Sequence, residues 1–265
     1  MDLAFPEEIA PVFIEGEPEA SYALVGFSLL LPYLEPYLIR TMRDAKPQVT
    51  DPELVKDLER FSAQEGQHYQ QHRRFNETIR TQGFPRLARL EADLEADYQR
   101  FTREKSLRFN LAYAEGFEAM TTASALFSFE TGEIGRMHPA AADLFMWHLV
   151  EELEHRTVAF DVYDHLVGSY PYRLAVGLFA QFHLVRFMVR VSRYMLEADP
   201  DYPALYGGRE GRRERMRRRS PMLRRSFLPK LLRTYLPGYT PESIPFTDEL
   251  RVVAERYSAM AVRTS

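Results

Sequence analysis

Two Glu-x-x-His motifs, each within a segment of helical periodicity, constrain the fold of this chain more than any other feature. The first runs from Glu65 to His68 and the second from Glu152 to His155. Residues three or four positions apart share one face of an α-helix, so each motif places a carboxylate and an imidazole on the same side, one turn apart. Two such helices facing each other, each with a further carboxylate-bearing neighbour, would form a dinuclear metal site in a four-helix bundle.

Each motif has a further histidine on its own helical face. His72 follows the first motif and His148 precedes the second. At about 100° per residue, each set of three side chains falls within an arc of about 60°, and each arc lies on the apolar stripe of its helix. A single motif is common on a charged surface helix, and a lone buried histidine is usually a hydrogen-bonded core residue. Two buried sets need a shared partner, because unpaired buried polar groups are costly, and this favours a pair of metal ions.

The other two helices of such a bundle must contribute carboxylates. In the segment from Leu107 to Phe129, Glu115 lies on the apolar stripe and Glu118 lies about 60° away from it. This pattern favours Glu115 as the ligand and leaves Glu118 as an additional candidate beside the site.

The candidate ligand in the first helix is Glu35, which follows an almost wholly apolar run and is therefore expected to be buried. Proline lacks an amide donor and disfavours a helical predecessor, so Pro32 and Pro36 predict that the first helix breaks or restarts here. A carboxylate exposed at a helix end remains the alternative for Glu35.

The second motif lies in a helix that we predict from Ala140 to about Val167. Within it, Glu151 borders the apolar arc and is a candidate to hydrogen-bond to a metal ligand. Asp161, further along the same helix, is a candidate to orient a histidine or an arginine.

No strand alternation of any length and no short tandem repeat occur in the 265 residues, so we predict an all-α fold. Residues 1–20 are predicted to form an N-terminal arm, residues 21–200 a metal-binding helical bundle, and residues 201–265 a basic, proline-rich C-terminal extension packed on or beside it. The absence of cysteine excludes disulfides, iron–sulfur clusters and thiolate zinc sites. The acidic N-terminus lacks the features of a secretory signal, which favours a cytoplasmic location.

The residues around both motifs resemble those of a known family. The runs Gln64–Asn76 and Trp147–Tyr163 are similar to two motifs of the bacterial family described as predicted metal-dependent hydrolases, and the resemblance covers roughly residues 20–195. It implies a ferritin-like or haem-oxygenase-like helical bundle with a metal centre.

The order Glu, Glu-x-x-His, Glu, His-x-x-x-Glu-x-x-His also resembles that of the di-iron aminobenzoate N-oxygenases. Carried over position by position, this resemblance implies a ligand set of Glu35, Glu65, His68, Glu115, His148, Glu152 and His155. His72 is an imidazole that this pattern does not need, and it could replace a ligand or support one. The implied cofactor is a pair of Fe ions, with Mn or a mixed Fe/Mn pair as alternatives, and O2 is the implied co-substrate.

We therefore expect a non-haem di-iron oxygenase or oxidase that acts on a hydrophobic small molecule, for which the 18 Phe and 15 Tyr could line a pocket. The first alternative is a metal-dependent hydrolase in which the metal ions activate water. The second is a non-catalytic bundle that handles iron or lies at a membrane surface.

Residues 209–233 carry 11 Lys/Arg and 2 Asp/Glu, a net charge of +9, although the whole chain has a net charge of −4. Apolar residues interleave with these cations, which is typical of an amphipathic helix on an anionic membrane surface. The alternative is pairing with acidic parts of the same chain or of a second subunit in a homodimer, and nucleic acid is disfavoured. The candidate anion-binding residues are Arg212, Arg213, Arg217, Arg218, Arg219, Arg224 and Arg225. The chain is thus expected to be cytoplasmic, with peripheral membrane association as a further option.

Overall fold

Residues 1–263, the part of the chain that this computed structural model describes, form a helical bundle. Its helices are α1 (Pro18–Ala45), α2 (Pro52–Arg80), α3 (Leu87–Glu104), α4 (Leu107–Thr131), α5 (Pro139–Glu154), α6 (Val158–Leu166), α7 (Tyr170–Ala198), α8 (Tyr202–Tyr206), α9 (Gly208–Met222), α10 (Leu228–Arg233) and α11 (Asp248–Arg263). Among these residues no strand forms, and the only extended pairing is an isolated bridge between Ile14 and Met137. The predicted all-α bundle is confirmed.

Helices α1, α2, α4 and α5 enclose the interior in which the two motifs meet. α1 packs along α2 and α7, and α4 packs along α7 and against α5 and α6. The contact between α4 and α7 is close where two glycines face each other: a Cβ added to Gly116 would lie 2.4 Å from the Cα of Gly177. α2 begins as its sequence predicts, because Asp51 accepts hydrogen bonds from the amides of Glu53 and Leu54.

The predicted break in the first helix is wrong, since α1 runs without interruption through Pro32 and Pro36. Proline at position 32 removes the amide that would bond to the carbonyl of Ser28, four residues earlier. Asn76 of α2 replaces that donor, because its Nδ2 atom donates to the Ser28 carbonyl at 2.9 Å. A donor from a neighbouring helix therefore satisfies the carbonyl that Pro32 leaves free, and α1 continues.

The predicted helix from Ala140 to Val167 is instead two helices, and His155 is the C-terminal cap of α5. Arg156 leaves the helix here. Its guanidinium donates to the carbonyl of Leu153, to that of Ile244 at 2.7 Å and to that of Pro241 at 3.2 Å. These bonds satisfy a carbonyl at the end of α5 and attach the C-terminal segment at this point, which ends the helix without proline or glycine.

Part of the basic run pairs with the body of the protein. Arg218 contacts Glu17, Arg219 contacts Glu133 at 2.6 Å, and Arg215 contacts the carboxylate of Glu19 at 2.7 Å. The remaining candidate anion-binding residues are exposed and form no ion pair with any described residue: Arg212, Arg213, Arg217, Arg224 and Arg225. The alternative of pairing within the chain thus holds for part of the run.

Two helices, α1 and α7, are long and apolar enough to cross a membrane by length and composition alone. Within the most apolar window, 72% of the residues of α1 are buried inside the protein, as in a core helix of a soluble protein, and 39% of those of α7. By length and composition alone, this is weak evidence for membrane association.

Candidate metal centre

Carboxylates and imidazoles from four helices meet in the interior of the bundle. The cluster contains Glu35 from α1, Glu65 and His68 from α2, Glu118 from α4, His148 and Glu152 from α5, and the capping residue His155. All seven are buried, with at most 5% of each residue exposed. They fall into three overlapping groups whose potential ligand atoms lie within 4.8 Å of one another: Glu35, His68 and His148; Glu65, Glu118 and His155; Glu65, His68 and Glu152.

The distances between facing atoms match those between ligands of one cation. His148 Nε2 lies 3.1 Å from Glu152 Oε1, and His155 Nε2 lies 3.2 Å from Glu65 Oε1 and 3.7 Å from Glu118 Oε2. Two ligand atoms that are each about 2.1 Å from one cation are separated by about 3.0 Å at a right angle and about 3.4 Å at a tetrahedral angle.

Many polar atoms of the cluster have no hydrogen-bond partner among the described residues. They are both carboxylate oxygens of Glu35, Glu65 and Glu118, Oε1 of Glu152, Nδ1 of His68, and Nε2 of His148 and His155. Buried polar groups are normally hydrogen-bonded, and a concentration of exceptions in one place needs an explanation. Every one of these atoms can donate a lone pair to a cation.

The orientation of His148 is fixed by a chain of hydrogen bonds that starts at Asn76. The Nδ2 atom of Asn76 donates to the Ser28 carbonyl, so its Oδ1 must accept the Ser28 hydroxyl hydrogen at 2.6 Å. The Ser28 oxygen then accepts from Nδ1 of His72 at 2.8 Å, and Nε2 of His72 accepts from Nδ1 of His148 at 3.1 Å. This assigns a lone pair to Nε2 of His148, the nitrogen that faces Glu152.

The other two histidines are held in the same way. Nε2 of His68 donates to Glu151 at 3.0 Å, and Glu151 also accepts from the indole of Trp147 at 2.7 Å. Nδ1 of His155 donates to Oε1 of Gln64 at 3.1 Å, and the amide orientation of Gln64 is fixed because its Nε2 donates to Glu154. Each histidine thus bonds outward through one nitrogen and faces the cluster with the other, as metal-ligating histidines do.

The carboxylates of the cluster repel one another. Burial and the neighbouring Glu65 hold the pKa of Glu35 well above its usual value, and burial and Glu152 do the same to Glu118. Burial opposes ionisation of Glu152 too, but His148 and His155 outweigh it and lower its pKa. Burial likewise opposes a charged His68, yet Glu151 and Glu65 raise its pKa to about 9. The site therefore favours positive charge at its centre.

Four of the residues selected from the sequence lie outside the cluster: His72 and Glu151, which hydrogen-bond to its histidines, and Glu115 and Asp161, which do not. Glu115 accepts a hydrogen bond from Arg173 at 2.7 Å, and Glu118, one turn further along α4, occupies the predicted place of Glu115. Asp161 is exposed on α6, because the helix break at His155 changes the direction in which it points. His72 is buried behind His148 and supports it through a hydrogen bond.

Sequence reasoning gave no role to several supporting residues. Asn76 lies four residues beyond His72 and so on the same helical face, and Ser28 lies two turns before Glu35, so helical spacing could have found both. The same spacing applies to Gln64, four residues before His68, and to Thr121, three residues after Glu118. The hydroxyl of Thr121 donates to Oε2 of Glu152 at 2.8 Å, which leaves the other oxygen of Glu152 facing the cluster.

The cluster approaches solvent at His155. A surface cleft of about 520 Å³ reaches this residue and is lined mostly by polar side chains. The lining residues are Asp57, Arg60, Ala63, Gln64, Glu154, His155, Thr157 and Val158. The cleft therefore ends at His155, whose Nε2 atom faces Glu65 and Glu118 and is itself buried.

Comparison with known proteins gives one match. No curated protein and no solved structure matches the chain, so the resemblance to ferritin-like di-iron proteins is not confirmed. A family model described as a predicted metal-dependent hydrolase matches residues 1–244. Because this match covers most of the chain, and the interior holds groups of residues suited to metal binding, the protein belongs to the family of predicted metal-dependent hydrolases.

Proposed function

We propose that this protein is a metal-dependent hydrolase that holds two divalent metal ions in the buried cluster. The ligands are Glu35, Glu65, His68, Glu118, His148, Glu152 and His155. The observation that carries the proposal is the arrangement of the three histidines. Each is fixed by an outward hydrogen bond, and the nitrogen facing the carboxylates has no other partner.

Charge balance supports two ions. Four ionised carboxylates in a buried site carry four negative charges, which two divalent cations neutralise. Nitrogen and oxygen donors without sulfur suit Mn, Fe or Zn. Ions bound here would lower the pKa of a water molecule and polarise a carbonyl or phosphoryl oxygen of the substrate.

The residues of the chain would position this chemistry. Gln64 orients His155 at the solvent-facing end, while the buried chain from Asn76 to His148 lies at the opposite, closed side. The cleft beside His155 offers Asp57, Arg60 and the carboxylate of Glu154 to a substrate. These side chains favour a small polar substrate over the hydrophobic one that the aromatic content suggested.

Metal analysis of matched variants tests the site. The wild-type protein is expected to bind about two divalent ions per chain. Glu118→Gln removes a ligand and is expected to lower that number, while Glu115→Gln, one turn away and equally buried, leaves it unchanged. Similarly, Glu152→Ala is expected to lose metal and Glu154→Ala to retain it. Equal loss in both members of either pair would show that the cluster is not the binding site.

A second candidate is oxygen activation by a pair of Fe ions. One observation favours it: with Glu118 in the third position, α1, α2, α4 and α5 each contribute one carboxylate, as in di-iron carboxylate bundles. Under this proposal O2 is a co-substrate and iron is the required metal.

One pair of assays distinguishes the two functions. Metal-loaded protein is tested against ester, amide and phosphoester substrates, and the Fe(II)-loaded protein is tested for oxygen consumption. Hydrolysis that Glu118→Gln abolishes and that proceeds without oxygen supports the hydrolase. Oxygen consumption without hydrolysis would overturn it in favour of the oxygenase. Metal uptake with neither activity would indicate a metal-handling protein.

A further inference from the structure

α7 has an apolar face that no described part of the chain covers. Leu178, Phe182, Val185 and Val189 recur at intervals of four, three and four residues, which places them on one side of the helix. They are 46%, 68%, 47% and 57% exposed. Beyond the end of α7, Leu205 of α8 is also exposed, by 69%. Contiguous apolar patches of this kind mark interaction surfaces.

Cations lie next to this α7 face. A cleft of about 780 Å³ has Val185 and Val189 on one wall, and Arg209 and Arg212 also line it. Both arginines are exposed and form no ion pair with a described residue. The cleft also contains Arg193, whose charge is paired with Glu197 at 2.8 Å. An exposed apolar stripe thus adjoins a cleft with unpaired positive charge.

We propose that the α7 face binds the surface of an anionic phospholipid bilayer, with Arg209 and Arg212 contacting the headgroups. Charge complementarity favours this occupant over a second copy of the chain. The exposed cations of α7 that border the stripe are Arg186, Arg190 and Arg193. Arg190 pairs with Asp93 and Arg193 with Glu197, whereas Arg186 forms no ion pair with a described residue and adds to the unpaired charge of Arg209 and Arg212. A symmetric partner would bring the same cations to this contact, whereas an anionic surface complements them.

The helix would lie on the membrane and not cross it. Although α7 is long and apolar enough to span a bilayer, its opposite side packs along α1 and α4. That side carries the buried Arg173, paired with Glu115, and Gln181, which donates to the Gly116 carbonyl at 3.0 Å. Transfer into lipid would break these contacts, so only the exposed side can enter the interfacial region. The proposal concerns a surface outside the cluster and does not depend on its chemistry.

Co-sedimentation with vesicles tests this inference. Purified full-length protein is mixed with phosphatidylcholine vesicles that contain or lack 30% phosphatidylglycerol, as a roughly physiological anionic fraction. We expect binding only to the anionic vesicles, and weaker binding at higher salt. Phe182→Gln/Val189→Gln is expected to weaken binding by about tenfold or more. Val252→Gln, which alters a residue of α11 that is 66% exposed, is the matched control and should leave binding unchanged.

Two further double variants distinguish the contribution of the cleft arginines to vesicle binding from that of the basic run as a whole. Each cation at a membrane surface contributes about fivefold to binding, so Arg209→Gln/Arg212→Gln is expected to weaken it by about 25-fold. Arg224→Gln/Arg225→Gln removes the same charge outside the cleft and should have an effect of about twofold at most. Equal losses in the two pairs would overturn the assignment to the cleft.

A dimer is the competing outcome. Light scattering of the protein without vesicles shows whether it self-associates. A dimer that Phe182→Gln/Val189→Gln dissociates, together with no vesicle binding, would overturn the lipid proposal. The urea midpoint is measured on every variant, and an unchanged midpoint shows that the bundle is intact, so failure here is distinct from failure of the proposed function.

Discussion

Asn76→Ala removes both hydrogen bonds between Asn76 of α2 and Ser28 of α1. The Ser28 carbonyl, which Pro32 leaves without a helical donor, then has no partner in a fully buried position. The Ser28 hydroxyl also loses its acceptor and can turn to donate to Nδ1 of His72. That reverses the direction of the chain, and the proton of His148 moves to the nitrogen that faces the cluster.

The unpaired carbonyl and the reversed hydrogen-bond chain affect two different quantities, stability and metal affinity. One buried carbonyl without a partner reduces the free energy of unfolding by about 1–3 kcal/mol. Disruption of a hydrogen bond that orients a metal ligand lowers metal affinity by about 10–100-fold. We therefore expect Asn76→Ala to lower the urea midpoint of the chelator-treated protein. Independently, it should weaken metal binding, measured by competition with a chelating dye.

Pro32→Ala provides the decisive comparison, because it restores the amide that can bond to the Ser28 carbonyl. In the Asn76→Ala background, Pro32→Ala should raise the free energy of unfolding by about 1 kcal/mol or more beyond its effect in the wild-type background. It should not recover metal affinity, because the chain to His148 stays reversed. Additive effects on stability, or recovery of metal affinity, would refute the reasoning.

Three further variants or conditions test other parts of the structure. The pKa of His68 is raised to about 9 from an unperturbed 6.5, so protonated His68 stabilises the metal-free protein fully below pH 6.5 and this contribution is lost as the pH rises through 9. Metal affinity should rise over the same range, because a metal ligand must be deprotonated. A thermal midpoint and a metal affinity that both stay constant from pH 6.5 to 9 would contradict the raised pKa. Gln64→Ala removes the acceptor that orients His155 and should lower metal affinity about 10–100-fold with little change in unfolding, so a full metal affinity would exclude this role. Gly116→Ala places a methyl group against Gly177 and should lower the free energy of unfolding in urea by about 1–3 kcal/mol. An unchanged free energy of unfolding would show that α4 and α7 can move apart without destabilising the protein.

Helical spacing selected six of the seven residues of the cluster, but on α4 it favoured Glu115 where the structure places Glu118 in the cluster. α2 has a polar side, so periodicity identifies the face of α2 that is buried. α4 is buried on almost all sides between Asn110 and Ala123, so Glu115 and Glu118 are both interior. Only the positions of the neighbouring helices decide that one meets Arg173 and the other meets His155.

The two errors in helix boundaries have a common cause. Sequence rules predict a helix break or a helix end from the residues of one segment alone. Hydrogen-bond donors and acceptors from distant segments can change both. Asn76 supplies the bond that Pro32 withholds, and Arg156 ends α5 by reaching the C-terminal segment. Neither partner is close in sequence, so neither effect is visible in a local pattern.

The bonds from Arg156 to Pro241 and Ile244 connect the C-terminal segment to the candidate metal centre. His155 precedes Arg156 directly, so the segment that holds Arg156 also restricts the backbone of a proposed ligand. Linkage is reciprocal: if docking of the segment strengthens metal binding by some factor, metal binding strengthens docking by the same factor. Amide exchange near Ile244 should therefore slow when metal is added. The exchange rate of the C-terminal segment would then depend on whether the buried site holds metal.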